Sequence, residues 1–183
     1  MPEQSDDYLS RVRSLFSELG IPQALPATRG LEIWREPTEL VVAEITPQGR
    51  EFLLSAAAAA AWQAMKMAAA EEGIALLMVS AFRSVDYQAD IIRRKLGQGM
   101  SIDEILRVLA PPGYSEHHSG CAIDIGSDDC PELGERFENT RAFRWLSNHA
   151  QRFSLSLSFP CDNRFGYVYE PWHWCYRGHS QKF

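Results

Sequence analysis

The chain is short of cysteine, of long apolar runs and of positive charge, and each shortage removes a class of protein. Only Cys121, Cys130, Cys161 and Cys175 occur among 183 residues, and no two form a C-x-x-C pair. That spacing excludes a cysteine zinc knot and the dense disulfide framework of a small secreted scaffold. It leaves free thiols or, in an exported protein, one disulfide. The longest apolar block, residues 56–62, is far too short to cross a bilayer, so no membrane segment is expected. Lysine and arginine number 18 against 24 acidic residues, a formal charge of −6. With no basic stripe to neutralise phosphates, no nucleic-acid partner is expected. The first seven residues, Met-Pro-Glu-Gln-Ser-Asp-Asp, are acidic where a secretory leader is basic and then apolar. A cytoplasmic location is expected on that ground, or a periplasmic one had a leader been removed.

What is present is an ordinary globular composition, 45% hydrophobic and 23% charged, of a length that suits one domain. Ser5 or Asp6 is expected to cap a first helix with Leu9, Val12, Leu15, Phe16 and Leu19 on one face and Gly20 as its stop. Residues 31–34 and 40–45 read as strands around a turn at Pro37. An alanine-rich helix is expected over residues 50–72, with Trp62, Met65 and Met67 as core fillers. A buried strand over 74–79 follows, then a helix capped by Ser84 and another opened by the Ser101/Glu104 capping box and ended by Pro111. Beyond it come a strand over 121–125, a helix over 140–150, a strand over 154–159 and two extended pieces flanking Pro171. The order lacks a βαβ rhythm, so the expected fold class is α+β: one domain, with a small antiparallel sheet flanked by helices.

The strongest local signal is Ser115-Glu-His-His-Ser-Gly-Cys-Ala-Ile-Asp124. In a strand over 121–125 the side chains alternate, so Ala122 and Asp124 share one face while Cys121, Ile123 and Ile125 meet the core. A buried unpaired carboxylate costs on the order of several kcal/mol, so Asp124 needs a partner. A metal supplies one, and a turn at Gly120 can bring the upstream histidines beside it. The second signal is Tyr169-Glu-Pro-Trp-His-Trp174, in which Pro171 biases Glu170 toward extended geometry and lets Glu170 and His173 approach one centre. His117, Asp124 and one more imidazole make three ligands and leave a fourth position open, as in catalytic zinc sites. Two unrelated polar clusters are the alternative that the chemistry alone leaves open.

These segments resemble the S-x-H-x-x-G-x-A-x-D and E-x-x-H motifs of VanY-type D-alanyl-D-alanine carboxypeptidases. That group of zinc metallopeptidases also holds L,D-carboxypeptidases, VanX-type dipeptidases and, by fold, the hedgehog signalling domain. Ser115, His117, Gly120, Ala122 and Asp124 match the first motif, and Glu170 and His173 the second. Ser80-Ala-Phe-Arg83-Ser84 with Gln88 resembles the family's S-x-x-R-S…Q segment. The likeness implies a zinc site on the small sheet, with His117, Asp124 and His173 as Zn2+ ligands and Glu170 as catalytic base. It implies that Arg83, Gln88 and Ser115 hold the substrate's terminal carboxylate or polarise its carbonyl, Arg83 thus serving catalysis as well as binding. Trp172 is expected to shape the pocket wall, with Tyr114 and Tyr167 as weaker candidates. His118 has no assigned role, and His149 and His179 are expected to take no part. The likeness covers residues 46–183, a VanY-like metallocarboxypeptidase domain, and leaves residues 1–45 as a helix-and-strand extension packed on its core. Cys121 departs from the family pattern where an aliphatic residue is usual, and Cys175 where arginine is common.

The implied substrate is a peptidoglycan stem peptide or muropeptide ending in D-alanine. The motifs do not distinguish L,D- from D,D-cleavage. A cytoplasmic D,D-enzyme acting on wall precursors, pentapeptides or the free dipeptide, would undermine wall synthesis outside glycopeptide resistance. The expectation therefore leans to L,D-carboxypeptidase action on tetrapeptides in wall recycling. Two alternatives stand beside it: a non-catalytic zinc module that binds peptidoglycan or a protein, and an endopeptidase with a cleft open at both ends.

Overall fold

The computed structural model describes residues 3–178. In chain order the elements are α1 (Glu3–Leu19), α2 (Leu25–Arg29), β1 (Val41–Ile45), β2 (Glu51–Leu54), α3 (Ala56–Glu71) and β3 (Leu77–Ser80), then α4 (Val85–Gly97) and α5 (Ile102–Val108). The remainder is β4 (Ala122–Gly126), α6 (Arg141–His149), β5 (Leu155–Leu157) and β6 (His173–Tyr176), with short 3-10 turns between, one of them Glu116–Ser119. Four strands form an antiparallel sheet in the order β3-β4-β6-β5, and β1 and β2 form a separate hairpin. The fold is α+β, as the order of elements implied.

Register decides what the sheet can hold. Ile123 stands opposite Trp174 and Asp124 opposite His173. Directly opposed residues project from the same face, so one face carries Ile123 and Trp174 into the main core and the other carries Asp124 and His173 away from it. Trp62, Met65, Leu54, Leu76, Phe137 and Leu146 complete that core beneath the sheet. A second cluster joins Val12, Leu15, Phe16 and Leu19 of α1 to Val85, Ala89 and Ile92 of α4 and Ile105 and Leu106 of α5. The apolar face expected of the first helix is therefore the face that meets α4 and α5.

Several local expectations change. Residues 51–54 are a strand, not the first turn of the alanine-rich helix. The chain reverses over residues 46–50, where Gly49 adopts φ 83° and Thr46 exchanges hydrogen bonds with Arg50. Glu51 then pairs with Ile45 and Leu54 with Val41. Ser55, extended at φ −60° and ψ 149°, caps the helix by accepting from the Ala58 amide, so α3 starts five or six residues later than the alanines suggested. Residues 31–34 are not a strand; their one cross-chain backbone bond runs from the Trp34 amide to the Gly113 carbonyl. Met67 is 66% exposed and fills no core, while Trp62 and Met65 are fully buried. Ser5 and Asp6 lie inside α1, which begins at Glu3, and His179 lies outside the described residues. The helix after Ser101 stops at Val108, because Leu109 turns extended two residues before Pro111.

Phe16 is 2% exposed at the centre of the α1–α4–α5 cluster. Phe16→Ala is expected to lower the unfolding free energy by about 3–5 kcal/mol, measured by urea denaturation. A loss below about 1 kcal/mol would mean that α1 is not part of the cooperative fold.

Candidate active site

Every residue of β4 is buried, so its aspartate cannot reach bulk water. Asp124 Oδ2 lies 3.2 Å from His117 Nε2, and Asp124 Oδ1 lies 3.0 Å from His173 Nδ1. The outer nitrogens fix both tautomers. His117 Nδ1 is 2.6 Å from the Ala81 carbonyl, which can only accept, so Nδ1 carries the proton and Nε2 offers a lone pair toward Asp124. A lone pair and a carboxylate oxygen face each other there with no proton between them, and His117 Nε2 has no hydrogen-bond partner. That contact is repulsive unless a cation lies between, and 3.2 Å is close to the ~3.4 Å between two ligand atoms on one tetrahedral zinc. One ligand atom from each of His117, Asp124 and His173 falls within 4.8 Å of the others. The residues present fit a divalent cation.

The loop delivering His117 allows no substitute at its hinge. Gly120 ends the Glu116–Ser119 turn at φ 67°, and a Cβ there would meet Leu40 Cδ2 at 2.8 Å and the Ser55 amide nitrogen at 3.0 Å. The Gly120 carbonyl accepts from that same amide at 2.9 Å, pinning the turn to the start of α3. On the other side, Pro171 sits in a tight turn in which the His173 amide donates to the Glu170 carbonyl at 3.1 Å. The turn brings both side chains to one side, with Glu170 Oε2 3.9 Å from His173 Nδ1.

Glu116 is a site residue that the motifs did not single out. Its Oε2 is 3.0 Å from His173 Nε2 and accepts from the Ser158 hydroxyl at 2.5 Å, while its Oε1 accepts from Arg177 Nη2 at 2.6 Å. Burial works against the Glu116 carboxylate, but His173, Arg177 and Ser158 together hold it down to about 2. Burial also disfavours the His173 imidazolium, and the hydrogen bonds and charges of Asp124 and Glu116 outweigh it, raising His173 to about 10. With a dication held at Nδ1, His173 would be neutral and Glu116 would keep the Nε2–H, as carboxylates behind metal-binding histidines do in fixing the ring's tautomer. Adjacency to His117 was the only sequence sign of Glu116; its partners are 42 and 61 residues away.

Facing this cluster is a pocket lined by Arg83, Gln88, Ser115, His117, Tyr167 and Glu170, among others. Arg83 is partly buried; Nη1 donates to Gln88 Oε1 at 3.2 Å, Nη2 lies 3.7 Å from Asp124 Oδ2, and Nε has no partner. Gln88 is fixed in turn by donating to the Ala110 carbonyl at 2.8 Å. Burial pushes Glu170 up to about 7, with the negative charges of Asp124 and Glu116 adding to it against His173 and Arg83. Five buried side-chain atoms among the described residues lack a partner, and three of them, on Arg83, His117 and Tyr167, belong to residues lining this pocket. Unpaired polar atoms gathered in one cleft mark a place for a polar ligand. Trp172 does not line it. That side chain packs on the main core, so nothing in its place speaks for a pocket-wall role. The thiols are free, burial raises Cys175 well above the ordinary range, and the group that could hold a metal consists of His117, Asp124 and His173.

Residues 51–179 match the family model for VanY, D-alanyl-D-alanine carboxypeptidase. The chain belongs to the VanY family. It is 32% identical over 150 residues to YodJ of Bacillus subtilis, across 78% of this chain and 55% of that protein, so it spans about half of that relative's length. Among solved structures it resembles the LdcB LD-carboxypeptidase at a TM-score of 0.69 and 32% identity, over 77% of this chain and 69% of that one. It also resembles a D,D-pentapeptidase VanY from a VanB-type vancomycin resistance cassette, solved with Zn(II), at a TM-score of 0.59 and 25% identity over 76% and 79%. The VanY match begins within β2, so α1, α2 and β1 precede it.

For this VanY-family chain, Glu116→Gln is expected to weaken zinc binding roughly 10- to 100-fold, the usual loss when an outer-shell partner is removed. Competition with a chromophoric chelator measures it. Unchanged affinity would show that His173 needs no help from Glu116.

Proposed function

We propose that the chain is a zinc-dependent carboxypeptidase that removes C-terminal D-alanine from peptidoglycan stem peptides. One observation carries the reading: the two histidines of a buried His-Asp-His set line one pocket together with a glutamate and an arginine whose Nε has no partner. His117 Nε2, the Asp124 carboxylate and His173 Nδ1 would hold the zinc, and the Zn(II) in the related D,D-pentapeptidase supports that choice of metal. When bound, zinc supplies Lewis acidity, lowering the pKa of a water toward about 7 and polarising a carbonyl.

The chain's own residues do the rest. The Nε–Nη2 edge of Arg83 has no hydrogen bond, and such an edge takes a carboxylate by two parallel N–H donors. Gln88 holds Nη1 and so sets the plane of the fork. With the terminal carboxylate there, the last peptide bond would lie in the pocket lined by Glu170. Its carboxylate removes a proton from the attacking water and returns it to the leaving D-alanine amine. The hydroxyl of Ser115, buried in the pocket wall, is placed to steady the substrate's end.

Within this reading we favour L,D-cleavage of tetrapeptides, on the ground that the LD-carboxypeptidase relative is the nearer match in both TM-score and identity, 0.69 and 32% against 0.59 and 25%. A cytoplasmic place in wall recycling accords with that preference. The family model and the D,D-pentapeptidase support D,D-action, and one assay separates the two. Zinc-loaded protein incubated with tetrapeptide and pentapeptide muropeptides, followed by mass spectrometry, should convert tetrapeptide to tripeptide with loss of one alanine. Conversion of pentapeptide alone would assign D,D-action. Glu170→Ala should keep its zinc and lose roughly 10²–10⁴-fold in kcat. Turnover of neither substrate by the wild type, or near wild-type turnover by that variant, would contradict the reading.

A further inference from the structure

His118 is fully buried one residue beyond a metal-site histidine, yet it turns away from Asp124. Its two nitrogens have different partners. Nδ1 lies 2.6 Å from the Arg83 carbonyl, which can only accept, and Nε2 accepts from the Gly113 amide at 3.1 Å. The neutral Nδ1–H tautomer satisfies both. The other backbone group of Arg83 is tied to the same turn, its amide donating to the His117 carbonyl at 3.3 Å. Arg83 is thus held front and back by consecutive histidines.

Gly113 connects this clamp to the N-terminal segment. It sits at φ 85°, where a Cβ would strike Val12 Cγ2 of α1 at 2.7 Å, and its carbonyl accepts from the Trp34 amide at 2.8 Å. The Trp34 carbonyl accepts in turn from the Tyr8 hydroxyl. Two residues further on, Glu36 Oε1 accepts from the Val85 amide at 2.5 Å, at the start of the helix that follows Arg83. Val12, Trp34, Tyr8 and Glu36 all precede residue 51, where the family match begins.

We infer that His118 is a positioning residue for Arg83, and that residues 8–36 serve the site by holding the Gly113 turn against which His118 fixes that arginine. This rests on the proposed function only in so far as Arg83 grips the substrate's carboxylate. The physical reasoning is that a guanidinium fork aligns with a carboxylate only if its backbone is fixed. A displacement of about 1 Å in such a group costs up to roughly a hundredfold.

The test uses zinc-loaded full-length protein and a D-alanine-terminated tetrapeptide. His118→Ala is expected to raise KM roughly ten- to hundredfold, with a smaller fall in kcat and one zinc retained. His118→Asn puts its side-chain amide near the place of Nδ1, keeps a donor to the Arg83 carbonyl and should recover most of the KM. His118→Gln, which reaches only the Gly113 side, should not. Backbone hydrogen exchange at Arg83 and Gly113 should speed in the alanine variant while exchange in β4 stays unchanged. Wild-type KM in His118→Ala, unchanged exchange at Arg83, or equal KM in the asparagine and glutamine variants would overturn the inference; the last comparison still decides should the alanine variant not fold. A wild type inactive on the peptide, with exchange altered as expected, would remove the proposed function and leave the positioning role standing.

Discussion

Burial of one carboxylate is the constraint around which this protein is organised. Asp124 stands on a strand buried along its whole length, 4% exposed, where an unpaired charge costs on the order of several kcal/mol. Its neighbours across the sheet and across the Gly120 turn are imidazoles, each presenting the nitrogen that its outer partner leaves unprotonated when a cation is bound. The Ala81 carbonyl makes that choice for His117, and the Glu116 carboxylate makes it for His173. The opposition of Asp124 and His173 comes directly from the β4–β6 register, so a one-residue slip would send one of them into the apolar core. Sheet geometry and metal chemistry are the same requirement seen at two scales.

Charge is then layered outward. Glu116 sits between His173 and Arg177, so a negative group fixes the candidate ligand and a positive one, partly solvated, balances it. Arg83 lies on the opposite side of Asp124, and although burial lowers its pKa it remains a cation, as arginine does in proteins. Asp124 at 3.7 Å from Nη2 partly offsets the cost of enclosing that cation, while Nε stays without a partner. Under the proposed function, a chain of net charge −6 would recognise an anionic terminus through this local field, which the surface charge does not set.

How much was legible in the sequence divides along lines of chain distance. The spacing of Ser115, His117, Gly120 and Asp124 was readable because a short turn feeding a strand has few conformations, and Ile123 and Ile125 announced which face was core. The chemistry of a carboxylate in an apolar strand left the pairing of that segment with Glu170 and His173 open, and the resemblance to the VanY motifs joined them. Glu116 escaped, since its role depends on Ser158 and Arg177 arriving from other strands. Trp172 flanks His173 in sequence, but it sits in the turn before β6 and its side chain packs on the main core. The β2 strand was hidden by the alanine run after it, whose helical propensity obscured the Pro47–Gly49 turn and the alternation of Phe52 and Leu54. The contacts of Tyr8, Val12, Trp34 and Glu36 with the Gly113 turn and the start of α4 could not be read, because their partners are distant in the chain and most are backbone groups, which leave no mark in side-chain pattern.

Whether His117, Asp124 and His173 hold one cation is decided by zinc-edge X-ray absorption on the protein loaded with one equivalent of zinc. The expected spectrum is a low-coordinate shell of two imidazole nitrogens and carboxylate or solvent oxygen at about 2.0–2.2 Å, with the outer-ring scattering of histidine. A sulfur shell at about 2.3 Å, which would implicate Cys121 or Cys175, or an all-oxygen shell without imidazole scattering, would contradict it.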